Sequence, residues 1–410
     1  MKVLLINKYN FIKGGSEVYT FGLKEMLIED GHEVIDFSMS NSKNDPSEYS
    51  KYFVDEIDYS DNRIKSKVKN SLKLIYSKEA SKKLEQLIRD TNPDIAHVNL
   101  IYHQLTPSIL HTLKKYNVPV VFTSHDYKIL CPNYKLYNKG LCEKCINGSY
   151  INCFKGRCHK DSLIFSFLLT IEAYLHKYLK SYNLVDSIIC PSKFMKNKLL
   201  QSGISEEKLK YIPNFINPQY YSKSKKYRSN NKEKVILYYG RLSDEKGLMN
   251  LMKALKLLKR DVKVKIIGTG PQEEELKLFI KENNINNVEF LGFKSGDKLY
   301  TEISKSYCTI IPAIWHEVFG LTIIESFAFG KPVIGANLGG ISELITNEEN
   351  GFVFNDVIGL VDCINKLLDM EDFKYEKMSA NCILDAEKYS PKVIYNEILN
   401  VYNDVLKLYD

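Results

Sequence analysis

The sequence predicts an α/β protein built from two doubly wound, parallel-sheet domains in tandem. Three observations carry that expectation. Short, continuous apolar runs alternate with helical patterns from residue 3 to residue 201, as strands buried on both faces of a parallel sheet require. A polar stretch dense in Lys, Ser and Asn, residues 222–234, interrupts the alternation, which restarts at Val235. The 410 residues, at roughly 150 per domain, amount to two or three domains, and 44% hydrophobic with 26% charged residues is a globular balance.

Each element has its own justification. Val3-Leu4-Leu5-Ile6 is the first strand, and Lys13-Gly14-Gly15-Ser16-Glu17 follows it as a glycine loop. Val18, Phe21, Leu23, Met26 and Leu27 then recur at helical spacing until Gly31 stops them. Glu33-Val34-Ile35-Asp36-Phe37 closes a strand, loop, helix, strand unit. Further strands are expected at 93–98, at 119–123 running into Ser124-His125-Asp126, and at 185–190, where Pro191-Ser192 opens a helix over 193–201. Past the polar stretch, the strand 235–239 leads into residues 240–247 and an amphipathic helix to about residue 258. Strands follow at 262–267, 288–291, 309–312 and 332–335. This rhythm implies parallel βαβ units covered on both faces. The domains are placed at 1–214, with a cysteine-rich insertion at 131–159, and at 215–388. A last helix over 391–408, within a segment 389–410, is expected to return to the first domain.

Charge and targeting signals narrow the function classes. Lys plus Arg less Asp plus Glu is 57 − 50 = +7, a mild surplus for this length. It suits an anionic ligand or a membrane surface better than a dedicated nucleic-acid binder, so no nucleic-acid partner is expected. The apolar run after Met1 is too short for a secretory signal, and the run 162–171 ends at Glu172, short of the roughly 20 residues that a spanning helix needs. A cytoplasmic protein is expected, peripheral on the inner face of the membrane if it meets one. Five of the nine cysteines lie between Cys131 and Cys158, and in a reducing compartment such a cluster reads as metal ligands or buried thiols before disulfides.

Chemistry concentrates around residues 316–325. Ile323, Ile324, Phe327 and Ala328 share one face of a helix that starts near Gly320 and stops at Gly330-Lys331-Pro332. The free N–H groups at its start form an anion site, which a glycine lets a phosphate approach. Glu317 precedes this helix and Glu325 sits on its second turn, so the two carboxylates address different parts of one ligand. Hydroxyls either side of a phosphate, those of a sugar and a ribose, fit them. In Gly240-Arg241-Leu242-Ser243-Asp244-Glu245-Lys246-Gly247, at the carboxyl end of a strand, Arg241 and Lys246 can converge on a pyrophosphate. Taken singly, each of these residues is more often a surface charge or a cap.

Together, Glu317-x7-Glu325, Gly240-Arg241-x4-Lys246-Gly247, Gly14-Gly15-Ser16-Glu17 and Ser124-His125-Asp126 resemble the retaining family-4 glycosyltransferases. The likeness runs from residue 2 to about residue 408, and implies the GT-B fold: two Rossmann-like domains facing across a cleft that holds a nucleotide-sugar. It implies that Glu325 holds the ribose hydroxyls and Glu317 a hydroxyl of the transferred sugar. Arg241 and Lys246 would stabilise the departing diphosphate with the backbone N–H groups of Phe319, Gly320, Leu321 and Thr322. Gly14 and Gly15 would cover the phosphates, and His125 would sit by the sugar. Gly240, Gly268 and Gly292 would line the nucleotide side. The donor implied is a nucleoside diphosphate sugar, UDP-sugar first, and the acceptor a saccharide or lipid-linked saccharide. No cofactor is implied for catalysis.

Two features stand outside that core. Cys142, Cys145, Cys153 and Cys158 have the spacing of a structural zinc site, in which Cys131 or His159 could replace one ligand; buried thiols and a redox role are the other readings. A subset of family-4 enzymes is similar in carrying such an insertion. Residues 61–90, with nine Lys or Arg against four Asp or Glu, and residues 162–178, apolar and aromatic, read either as helices on their own sheet or as contacts with an anionic membrane. Rival functions on the same fold are a sugar-nucleotide epimerase, a phosphorylase and a non-catalytic saccharide-binding module. The presence of both cations and both carboxylates favours the transferase, because a binder has no leaving-group charge to stabilise.

Overall fold

The first apolar run forms β1 (Lys2–Ile6), and five further strands complete its sheet. They are β2 (Glu33–Phe37), β3 (Ile95–Val98), β4 (Val120–Thr123), β5 (Ser187–Cys190) and β6 (Leu209–Tyr211). All pair in parallel in the order β2-β1-β3-β4-β5-β6, with Ile6 in register with both Phe37 and Val98. The computed structural model describes residues 1–56, 72–227 and 233–409. A second parallel sheet is made by β7 (Val235–Tyr239), β8 (Lys263–Ile267), β9 (Val288–Phe290), β10 (Cys308–Ile311), β11 (Val333–Ala336) and β12 (Gly351–Phe354). Its order is β12-β11-β10-β7-β8-β9. The two doubly wound sheets are those expected. The reading overlooked β6 and β12, which are three and four residues long.

Each sheet belongs to its own unit. The first comprises Met1–Asn138, Cys142–Pro213 and Ile394–Asp410; the second comprises Asn214–Val393 with Lys139–Leu141. The last helix, Pro391–Leu406, is thus largely part of the first unit. Its Tyr402 hydroxyl meets Nδ1 of the buried His97 on β3 at 2.5 Å, and its Tyr395 hydroxyl donates to Asp30 at 3.0 Å. The polar stretch 222–234 differs from its reading as a linker: residues up to 227 close the helix Pro218–Tyr227, and 228–232 lie outside the described residues. That helix forms because Tyr220 finds an edge-to-face partner in Tyr300, 4.6 Å between centroids, a contact that local composition does not reveal.

The second unit's core joins Ile236, Val264, Ile310 and Ile334 of the strands to Leu251, Ile323, Ile324, Phe327, Leu360 and Ile364 of the covering helices. Burying such a side chain contributes roughly 1.5–3 kcal/mol. Ile323, Ile324 and Phe327 anchor the helix Leu321–Ala328 in this way, which fixes where its N-terminus points.

Candidate active site

Strands β7 and β10 are neighbours at the place where the second sheet's order reverses. Crevices that bind ligands form at the carboxyl ends of strands at such reversals. The loop after β7 and the loop after β10 are therefore adjacent, and they interlock. The Ile314 N–H donates to the Glu245 carbonyl at 3.0 Å. Lys246 Nζ donates to Glu317 Oε1 at 2.5 Å and stands 5.2 Å from the Trp315 ring centroid. The structure thus joins two residues that were expected to meet separate parts of a ligand. The pair is part-buried, at 28% and 12% side-chain exposure, within reach of a ligand. Arg241 is exposed and takes no part in that pair, while its backbone carbonyl accepts from the Tyr238 hydroxyl at 2.8 Å.

Beyond Glu317, the chain enters the helix Leu321–Ala328 through Gly320, at φ 109°. No side chain caps this helix, so its first N–H groups, and those of Phe319 and Gly320 before it, are available to an anion. Gly320 holds a left-handed backbone that a side chain would strain, and a Cβ there would stand 2.9 Å from Ile323. One turn further, Glu325 is buried among Tyr220, Tyr239 and Tyr300. Burial pushes its carboxyl up to about 7, only partly offset by a hydrogen bond from Tyr239. The Tyr239 hydroxyl also lies 2.8 Å from the Thr322 carbonyl, bringing the helix against β7.

The nucleotide-side glycines gather by backbone bonding. Gly240 N–H donates to Ile267 at 2.9 Å, and Gly268 N–H donates to Gly292 at 2.8 Å, so the turns after β7, β8 and β9 lie edge to edge. Sequence reasoning missed Gly339 and Gly340. The Gly340 N–H donates to the Glu317 carbonyl at 2.7 Å, and a Cβ at Gly339 would stand 2.4 Å from that same oxygen. They hold the Glu317 backbone. Their signal was legible, since a glycine pair between a strand and a helix repeats the pattern of Gly14-Gly15. Tyr220 and Tyr300 carried no such signal, as they come from helices distant in sequence.

In the first unit, Gly14 and Gly15 form the loop into the helix Gly15–Glu29, beyond β1. Glu17 in its first turn is buried beside Asn7, and burial raises its carboxyl. His125, after β4, bonds Asn99 Oδ1 through Nε2 at 2.8 Å and meets the Tyr19 ring edge-on, 4.8 Å between centroids. Burial lowers His125 to about 3, so it is neutral. Desolvation likewise raises Asp126 to about 7.

Among the described residues, no group of three or more His, Cys, Asp or Glu side chains is arranged to hold an ion. Cys145 and Cys153 instead pack with Leu169, Tyr150 and Cys158 as a small apolar cluster, all as free thiols. Cys142 lies nearby and part-exposed. Three of the four ligands expected for a structural zinc, Cys145, Cys153 and Cys158, thus belong to this cluster.

Comparison with known proteins agrees with this geometry. Residues 13–220 match the family described as Glycosyltransferase Family 4, and residues 221–388 match Glycosyl transferases group 1. A relative described as an uncharacterized 42.6 kDa protein in the cps region of Klebsiella pneumoniae is 26% identical over 409 residues, covering 95% of this chain and 98% of that protein. The alpha-D-kanosaminyltransferase of Streptomyces kanamyceticus is 26% identical over 178 residues, 42% of this chain and 46% of that enzyme. Among solved structures, Anabaena HepE in complex with UDP-glucose superposes with a TM-score of 0.69 at 19% identity, over 98% of this chain and 100% of that one. This likeness establishes the GT-B fold.

Proposed function

Because the chain belongs to glycosyltransferase family 4, we propose that it is a retaining enzyme moving a hexose-type sugar from a UDP-sugar to a hydroxyl of a growing surface polysaccharide or lipid-linked saccharide. The observation that carries this reading is the joint placement of the Lys246–Glu317 pair, an uncapped helix N-terminus and the buried Glu325 at one sheet reversal. The choice of uridine draws support from a structural neighbour solved with UDP-glucose, and the choice of acceptor from a relative encoded in a cps region.

Each residue's task follows from charge. Glu325 accepts hydrogen bonds from the ribose hydroxyls and Glu317 from a hydroxyl of the sugar. As the bond between the anomeric carbon and the diphosphate oxygen breaks, negative charge grows on that oxygen and positive charge on the sugar ring. Arg241, Lys246 and the N–H groups at the start of the helix Leu321–Ala328 stabilise the oxygen in place, without reorganising water. The acceptor oxygen attacks the same face, and its proton passes to the leaving diphosphate. His125, being neutral, contributes a positioned dipole and not a charge. No helix among the described residues is long and apolar enough to cross a membrane. UDP-sugar use supports a place in the cytoplasm, with any lipid contact at the membrane surface.

The test is to incubate the protein with UDP-, GDP- and ADP-sugars and follow nucleotide release. UDP release from one sugar, lost in Lys246→Ala, is expected. An epimerised donor with no transfer or hydrolysis overturns the reading.

A further inference from the structure

The helix Leu163–Tyr178 is built inside out. Its buried residues include Ser166, Thr170, Glu172 and His176, and these are bonded internally. Glu172 Oε2 accepts from the buried Lys128 at 2.6 Å, and His176 bonds Ser181 and the Ile75 carbonyl, each at 2.9 Å. Leu163, Ile164, Phe167, Ile171, Tyr174 and Tyr178 are exposed instead, Ile164 at 72% and Tyr178 at 84%. At 3.6 residues per turn, these six fall within an arc of about 100°, one unbroken stripe. A helix of a globular protein normally turns such a stripe to its core. The helix Lys78–Thr91 does so, burying Leu84, Leu87 and Ile88. The described part of the stretch 61–90 is thus a helix on its own unit, and residues 61–71 lie outside the described residues.

Basic residues predominate in the segment that carries the stripe. Between residues 144 and 180 the basic residues are Lys144, Lys155, Arg157, Lys160, Lys177 and Lys180, all exposed, and the acidic ones are Asp161 and Glu172, the latter buried. Lys177 Nζ stands 5.7 Å from the Tyr150 ring centroid, and Tyr150 meets Tyr174 of the stripe edge-on at 5.3 Å, so charge borders the apolar surface. Charge sign selects the occupant. A second copy would bring the same cations face to face and repel, whereas a bilayer of anionic lipids offers both a negative surface and an apolar boundary.

We propose that this helix face docks the enzyme on an anionic lipid surface, the stripe entering the boundary between headgroups and acyl chains while the lysines and Arg157 rest on lipid phosphates. The inference rests on the proposed envelope or lipid-linked acceptor for its purpose, and on the helix alone for its geometry. The experiment is flotation of the full chain with vesicles of phosphatidylcholine alone and of three parts phosphatidylcholine to one part phosphatidylglycerol. Binding to the anionic vesicles only, weakened as salt rises from about 0.1 to 1 M, is expected. Lys155→Ala with Arg157→Ala should lower the partition coefficient about tenfold or more, at roughly a tenfold loss for each one to two cations removed. Ile164→Asp with Phe167→Asp should abolish binding, with an unchanged circular-dichroism melting curve showing that the fold survives. Absence of wild-type binding, or variants that bind like the wild type, overturns the proposal. So does a dimer in sedimentation that the Asp variant dissolves. Nucleotide release from a UDP-sugar, measured without vesicles, reports separately on the transferase reading.

Discussion

Glu325, as the proposed ribose ligand, would couple donor binding to pH through its burial. Its folded value of about 7, against 4.5 in the open chain, means that the folded protein holds this proton more tightly. Its contribution to stability therefore falls as pH rises from 4.5 to 7 and stays unfavourable above, by on the order of 3 kcal/mol for such a shift. Glu325→Gln should raise the melting temperature of the ligand-free protein at pH 8 by at least about 2 °C, while weakening stabilisation by UDP. Calorimetric titration of the wild type should show UDP affinity weakening below pH 7, towards about tenfold per pH unit, because only the carboxylate accepts ribose hydroxyls; the Gln variant should show no such slope. Lys246 and Glu317 split differently. Lys246→Ala should cost about 10²–10³ in kcat if Lys246 stabilises the leaving diphosphate. Glu317→Gln should leave UDP affinity near the wild-type value and raise KM for the UDP-sugar. These residue types and spacings were legible in the sequence. That Lys246 and Glu317 neutralise each other was not, because 71 residues separate them and only the pairing of β7 with β10 closes that gap.

At the scale of elements, the loops following strands carry the site, and their backbones decide what they tolerate. Gly268 has φ 134°, and a Cβ there would stand 1.8 Å from the Gly240 carbonyl; Gly292 has φ 65° with nothing within 4 Å. Gly292→Ala should cost about 1 kcal/mol of strain alone. Gly268→Ala should cost several times more and impair UDP binding, since the Gly240 loop must move. Denaturant melts of both variants, with and without UDP, check the ranking. The sequence marked both glycines alike, as turns after strands, because composition does not report which backbone lies opposite. The same limit governs the helices. The apolar period placed Lys78–Thr91 and Leu163–Tyr178 equally well, yet one buries its apolar face and the other exposes it. The polar residues at 166, 170, 172 and 176 were the available clue, and their weight became clear only with Lys128 and Ser181 as partners.

At the scale of the whole molecule, the last helix ties residues far apart in sequence. His97 satisfies Nδ1 with Tyr402, 305 positions away, and Nε2 with Thr123 at 2.7 Å, and burial holds it neutral at about 3. Tyr402→Phe should leave a buried ring nitrogen without a partner and cost about 1–3 kcal/mol, read as a lower midpoint in denaturant, whereas the exposed Leu408→Ala should change it little. The sequence by itself determined the alternation of strands and helices, the two-sheet plan, and the loops in which the proposed donor residues lie. Apolar runs, glycines and charges act through near neighbours, and near neighbours are what a sequence displays. The tertiary structure alone decided the strand order that sets β7 beside β10, the tyrosines that bury Glu325, the thiols that pack together, and the apolar stripe turned outwards. Each of these depends on contacts between segments distant in the chain, whose energies no local pattern contains.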